Sequence, residues 1–153
     1  MSGLNEDFRD LLAALDRAGA EYLVIGAHAL ALHGVPRATG DLDIWVRAEA
    51  ANAERVLRAL VEFGAPVEAM GVAVRDLSVP GLIYQIGLPP RRIDILTEVS
   101  GIEFEDAWTS RVTQTLDGIE VSFLGREALI RNKKASGRAK DLLDVDLLER
   151  QGE

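Results

Sequence analysis

The sequence predicts an α/β (α+β) domain with a mixed, mostly antiparallel sheet flanked by helices. Three observations carry this reading. Apolar residues recur at helical spacing near both ends and across 50–63. Short β-branched runs stand between these segments, first singly and then in two hairpin-like pairs. The chain has 153 residues, 48% of them hydrophobic, which is enough for one core. We expect a single domain over 1–153, with a C-terminal helical segment at about 126–150.

Taken in order, Phe8, Leu11, Leu12 and Leu15 lie on one face of a helix that Gly19 stops. YLVI (22–25) reads as a short buried strand ended by Gly26. Ala27 to His33 reads as a short helix, with Gly34 and Pro36 beyond it. Asp41 to Val46 is the next strand; alternation sets Leu42, Ile44 and Val46 on one face and Asp41, Asp43 and Trp45 on the other. Ala50 to Phe63 is an amphipathic helix with Ala53, Val56, Leu57, Leu60 and Val61 inward and Gly64 after it. Residues 65–80 read as loop and weak strand. Leu82 to Ile86 and Arg92 to Leu96 flank GLPP as a hairpin. Val112 to Leu116 and Ile119 to Phe123 flank Asp117-Gly118, a strong hairpin signal. From Arg126 the pattern is helical, with a break near Gly137.

Composition narrows the functional classes. Cysteine is absent, which excludes disulfides and thiolate metal sites and fits a reducing cytoplasm. The opening MSGLNEDFRDLL lacks the apolar core of a signal peptide, and no apolar run is long enough to span a bilayer. A net charge of −8 argues against a general nucleic-acid-binding surface. The basic residues are uneven, however: Arg126, Arg131, Lys133, Lys134, Arg138 and Lys140 crowd into 126–140. That run is either a solvated helix face or a local phosphate-binding patch.

The chemistry centres on carboxylates. Asp41 and Asp43 share a strand face, about 7 Å apart along the chain. Charges that close repel, and a divalent cation relieves them; Mg²⁺ takes carboxylate oxygens and keeps water and substrate phosphates as its other ligands. Alone, the pair is also what a solvated sheet end or a turn cap after Gly40 gives. Its surroundings add weight. YLVIGAHAL is a strand, a glycine and a short helix, which offers backbone N–H groups to a phosphate. Arg37 and Thr39 add a guanidinium and a hydroxyl on the approach. Asp94, in RRIDILT, is a third carboxylate in an apolar strand, where an unpaired charge is expensive. Two-metal phosphoryl-transfer sites use such sets.

Together these motifs resemble the nucleotidyltransferase superfamily that includes DNA polymerase beta. GAHALALHGVPRATGDLDIWV and NKKASGRAKDLLDVDLL are similar to small prokaryotic nucleotidyltransferase-like proteins related to the AbiEii toxin group. The resemblance runs from about Tyr22 to Leu148. It implies a nucleotidyltransferase-like fold and Mg²⁺- or Mn²⁺-dependent transfer of a nucleoside monophosphate from an NTP to a hydroxyl acceptor on tRNA, a protein or a small molecule. It implies that Gly26 lets triphosphate approach the backbone and that Asp41 and Asp43 bind metal. Asp94 is implied as the third carboxylate, helping to activate the attacking hydroxyl. Lys133, Arg138 and Asp141 match the C-terminal helical motif, the lysine meeting phosphate or nucleotide. Ala27 departs from the pattern, which has Gly or Ser there: the N–H survives for a main-chain phosphate contact, a hydroxyl is lost and a methyl intrudes. It points to an alternative, a non-catalytic or weakly catalytic nucleotide- or partner-binding component of a toxin–antitoxin type pair.

Other residues read more plainly. His28 and His33, five apart, do not share a helix face and make a poor zinc pair. Trp45 is either packed or a base-stacking ring. Asp144 and Asp146 read as surface partners of Lys140 and Arg150. No Ser-His-Asp or Cys-His arrangement can be built, and the absence of GxxxxGK[ST] excludes a P-loop.

Overall fold

The computed structural model describes residues 5–36 and 40–151. Seven helices and six strands follow one another along them: α1 Glu6–Ala18, β1 Tyr22–Ile25, α2 Gly26–Leu32, β2 Leu42–Val46, α3 Ala50–Phe63, α4 Val74–Leu77, β3 Ile83–Ile86, β4 Ile93–Leu96, α5 Phe104–Thr109, β5 Val112–Leu116, β6 Ile119–Phe123, α6 Arg126–Ser136 and α7 Ala139–Gln151. The six strands form one mixed sheet in the order β3-β4-β2-β1-β6-β5. β1 and β2 are antiparallel, as are the two hairpins, while β2–β4 and β1–β6 run parallel.

The helices form where the sequence supplies both periodicity and ends. Asn5 caps α1 by accepting the Phe8 N–H at 2.9 Å. Gly19 closes the helix in the left-handed conformation. Leu11, Leu12 and Leu15 are fully buried. In α3 the inward stripe is Ala53, Val56, Ala59 and Leu60; Val61 points outward and is 57% exposed, one position off the expected face. The start of α3 is held by a buried amide the pattern did not flag. Asn52 accepts the Glu21 N–H at 2.7 Å and donates to the carbonyls of Glu21 and Arg47, both at 3.0 Å. This ties α3 to the adjoining ends of β1 and β2.

Two short helices lie where none was expected. Within 65–80, read as loop and weak strand, Val74–Leu77 makes one helical turn, and the Ala73 N–H donates to the Asp76 carboxylate. Phe104–Thr109 is the other. Segments of four and six residues are too short to show a 3.6-residue period.

The sheet's two faces differ in kind. Val24, Leu42 and Ile44 face α1, against which α3 packs, and bury a leucine-rich core. Deleting one such side chain, as in Leu42→Ala, costs about 2–5 kcal/mol. Ile25, Asp43 and Asp94 face the opposite way, toward α6 and α7. Trp45, farther along that face, is buried and meets Phe104 of α5 edge-on, with ring centroids 5.0 Å apart. It is a packing residue.

Candidate functional site

Strand register brings the carboxylates together. In the parallel β2–β4 ladder Asp43 is the partner of Asp94, and across β1–β2 Ile25 is the partner of Asp43. Asp41 lies just before β2. Its position follows from the hairpin alongside: the Leu42 N–H donates to the Arg92 carbonyl at 2.9 Å, and the Arg92 N–H donates to Asp41 Oδ1 at 3.3 Å. Gly40 makes this approach feasible, because a Cβ there would lie 2.0 Å from the Pro90 carbonyl oxygen.

Gly26 is the second glycine the site needs. Its φ is +68°, and a Cβ would lie 2.4 Å from Asp43 Oδ2. Both conditions exclude any other residue without rearrangement. The chain turns there from β1 into α2 against the carboxylate itself.

Around these residues lies a cleft of about 490 Å³. Gly26 and Ala27 line one side, Asp41, Asp43 and Asp94 the floor, and α6 and the start of α7 the far wall. From that wall Lys133, Arg138 and Lys140 reach the cleft. Lys134 does not line it; its ammonium lies 3.6 Å from Glu149 on the exposed side. The expected residues Gly26, Ala27, Asp41, Asp43, Asp94, Lys133 and Arg138 therefore share one cavity. Arg37 and Thr39 lie outside the described residues.

The floor is electrostatically strained. Asp43 is mostly buried, and its carboxyl is pushed up to about 6, first by burial and then by Asp94 and Asp41. The Arg92 guanidinium only partly offsets this. Arg92 pairs with Asp94 through Nε at 2.9 Å and Nη2 at 3.3 Å, and its Nη2 lies 3.4 Å from Asp41. Among the described residues, Arg92 is the cation set against these three carboxylates. As the side chains stand, no group of three or more His, Asp or Glu among the described residues converges on a metal position. Arg92 engages Asp41 and Asp94 in its place.

The wall is balanced. Lys133, only 9% exposed, lies 3.0 Å from Asp144 and 3.5 Å from Asp141, and Arg138 donates to Asp141 at 2.7 Å. Burial tends to raise the Asp141 carboxyl, but Arg138 and Lys133 outweigh it and hold the group below the usual carboxylate range. Burial pushes the Lys133 ammonium down, more than Asp141 pulls it up. Asp144 is fully buried here, correcting its reading as a surface partner of Lys140; Asp146 does pair with Arg150, at 2.9 Å.

Arg92 and Lys140 are site residues the sequence reading passed over. Alternation in RRIDILT already put Arg92 on the face of Asp94, two positions away. Lys140 had no comparable signal beyond its place in the basic run. Neither histidine lines the cleft, although His28 makes a hydrogen bond with the Asp41 backbone. His33 Nε2 lies 2.8 Å from the Leu124 carbonyl. His28 packs edge-on to Phe8, and burial lowers its basicity. It borders a separate cavity of about 320 Å³ on the opposite sheet face, walled by Leu12, Val24 and Leu42.

No family model matches the chain, and no curated protein matches it in sequence. Solved structures do match in fold. A crystal structure of a candidate nucleotidyltransferase from Thermotoga maritima superposes with a TM-score of 0.56 at 15% identity, over 94% of this chain and 88% of that one. The lincosamide antibiotic adenylyltransferase LnuA, bound to lincomycin, gives 0.56 at 12% identity over 95% and 96%. An antigenic nucleotidyltransferase-like protein from Paracoccidioides brasiliensis gives 0.51 at 17% identity over 93% and 74%. At these identities the likeness establishes the fold: the chain has the mixed α/β architecture of nucleotidyltransferases.

Proposed function

We propose that the chain is a nucleotidyltransferase that moves a nucleoside monophosphate from an NTP to a hydroxyl on a tRNA, a protein or a small molecule. One observation carries the reading: three carboxylates gathered on a sheet floor, two of them engaged by Arg92, face a wall that presents cations across a cleft. An arrangement with clustered carboxylates on one side and basic side chains on the other suits a polyphosphate accompanied by its metal.

The residues fit Mg²⁺ or Mn²⁺. Carboxylate oxygens are the hard donors these ions take. The raised Asp43 carboxyl marks a site where added positive charge is favourable. Asp41, Asp43 and Asp94 would hold the ion. When bound, it neutralises phosphate charge and lowers the repulsion met by an incoming nucleophile.

The chain's own residues do the rest. Gly26 leaves room for the substrate backbone contact beside Asp43, and Ala27 follows on the same wall. Arg138 and Lys140, at the exposed rim, receive the triphosphate. Lys133 is held by Asp141 and Asp144, so its contribution is to fix the wall and carry positive charge beneath the rim. The Asp43–Asp94 pair accepts the proton of the acceptor hydroxyl. As the new O–P bond forms at the α-phosphate, the bond to the β-phosphate oxygen breaks and pyrophosphate leaves. Positioning and charge complementarity supply the acceleration.

The test uses [α-³²P]- and [γ-³²P]-labelled ATP, CTP, GTP and UTP with Mg²⁺, total RNA, a protein extract and a panel of polyhydroxylated small molecules. Label passing to an acceptor from the α- but not the γ-position supports the proposal. Transfer of γ-label, or none with any nucleotide, contradicts it. Ala27 supports a second reading, nucleotide binding with little turnover; calorimetric binding without α-label transfer is its signature.

A further inference from the structure

Arg92 has no role in the proposed reaction, yet its guanidinium engages two of the three floor carboxylates. Its Nε and Nη2 grip both oxygens of Asp94, at 2.9 and 3.3 Å. Its Nη2 reaches Asp41 Oδ2 at 3.4 Å, and its backbone N–H reaches Asp41 Oδ1 at 3.3 Å. The contrast with its neighbour is informative. Arg91 is turned outward, 55% exposed, with a loose 3.8 Å ion pair to Asp7, whereas the Arg92 side chain is 30% exposed and directed inward. A guanidinium and a divalent ion compete for the same oxygen lone pairs. Entry of an ion among Asp41 and Asp94 therefore requires the guanidinium to leave. Once displaced, it needs another anion, and a planar fork of donors fits a phosphate as well as a carboxylate.

We propose, building on the reading of this cleft as a metal–nucleotide site, that Arg92 is an internal counter-ion which metal must displace and the triphosphate then captures. Metal alone meets an occupied floor. Metal with nucleotide finds a floor whose arginine has somewhere to go. Binding of the two is consequently cooperative, and by linkage each strengthens the other equally. Arg92 is thus a positioning residue that keeps the cleft from loading metal without substrate.

The experiment compares the full wild-type chain with Arg92→Ala and Arg92→Lys. Free Mn²⁺ binding is followed by electron paramagnetic resonance without nucleotide, and binding of ATP, CTP, GTP and UTP by calorimetry at saturating Mn²⁺. We expect Arg92→Ala to bind free Mn²⁺ at least tenfold more tightly than wild type and the preferred NTP at least tenfold more weakly, with Arg92→Lys between. A merely structural arginine would not move the two affinities in opposite directions. Equal Mn²⁺ affinity in wild type and Arg92→Ala would overturn the counter-ion role while leaving the metal site standing. Unchanged NTP affinity would overturn capture by the triphosphate. No Mn²⁺ binding by either protein, with or without NTP, would overturn both this inference and the proposed function. Should Arg92→Ala fail to fold, Arg92→Gln, which keeps donors and bulk without the charge, decides the same comparison.

Discussion

Two charged clusters line one cleft and obey opposite rules. On the floor, the Arg92 guanidinium pairs with Asp41 and Asp94 and only partly offsets the charge around Asp43. On the wall, Asp141 and Asp144 are matched by Lys133 and Arg138. In the wall, Lys133, Asp141 and Asp144 are buried and tie α6 to α7, while Arg138 joins them from the exposed rim. On the floor, burial and neighbouring carboxylates raise the Asp43 carboxyl, and the proposed metal–nucleotide complex would relieve that repulsion. Proximity to the cleft is common to both; what differs is how closely each carboxylate is matched by a cation among the described residues.

The clusters should also respond to pH with opposite signs. Asp43 has a folded value raised from 3.8 to about 6, so it binds more protons folded than unfolded. Its contribution to stability is full below about 4 and is lost as pH rises to about 6. Asp141 has a depressed folded value, so its contribution is present at neutral pH and is lost as pH falls through the carboxylate range.

Substitutions break this comparison in graded steps. The largest effect falls on the wall: Lys133→Ala leaves two buried carboxylates without their ammonium and costs about 3–5 kcal/mol in urea denaturation. Next is Gly26→Ala, where positive φ and contact with Asp43 combine to cost about 2 kcal/mol, seen as a lower melting temperature together with altered Asp43 titration. On the floor the sign reverses. Asp43→Asn should raise stability by about 1–2 kcal/mol above pH 6 in metal-free buffer, with little gain at pH 4, because like-charge repulsion is removed. The same variant should lose nucleotidyl transfer. If it instead unfolds, the floor is structural and the distinction between the clusters fails. Lys140→Ala, at the rim, weakens triphosphate binding by about 1 kcal/mol without changing the melting temperature. Lys134→Ala, on the outer side, changes either quantity by less than about 0.5 kcal/mol.

The floor was legible in residue spacing, whereas Lys133, Arg138 and Asp141 of the wall were reached only through the resemblance of the C-terminal motif, for a physical reason. Strand alternation is local, so Asp41, Asp43 and their shared face followed from two-residue spacing, and a lone Asp94 in an apolar strand stood out. The β2–β4 pairing that sets Asp94 beside Asp43 is not local and came only with the fold. The wall depends on how two helices cross at Gly137, which closes α6 by donating to the Lys133 carbonyl at 3.1 Å. Helical spacing could group Lys134 with Arg138 but not choose the lysine that turns inward. The same crossing buries Asp144 among residues whose sequence looks like a solvated face. Arg92 was readable by alternation and was obscured by its apolar neighbours.

The most direct test of the central claim is calorimetry of Mg²⁺-dependent NTP binding to wild type, Asp43→Asn and Lys140→Ala at pH 7.5. The account predicts that at least one NTP binds wild type only when Mg²⁺ is present, that Asp43→Asn loses this metal dependence and most of the affinity while staying folded, and that Lys140→Ala weakens it several-fold. Equal nucleotide binding by wild type and Asp43→Asn, or metal-independent binding by both, would contradict it.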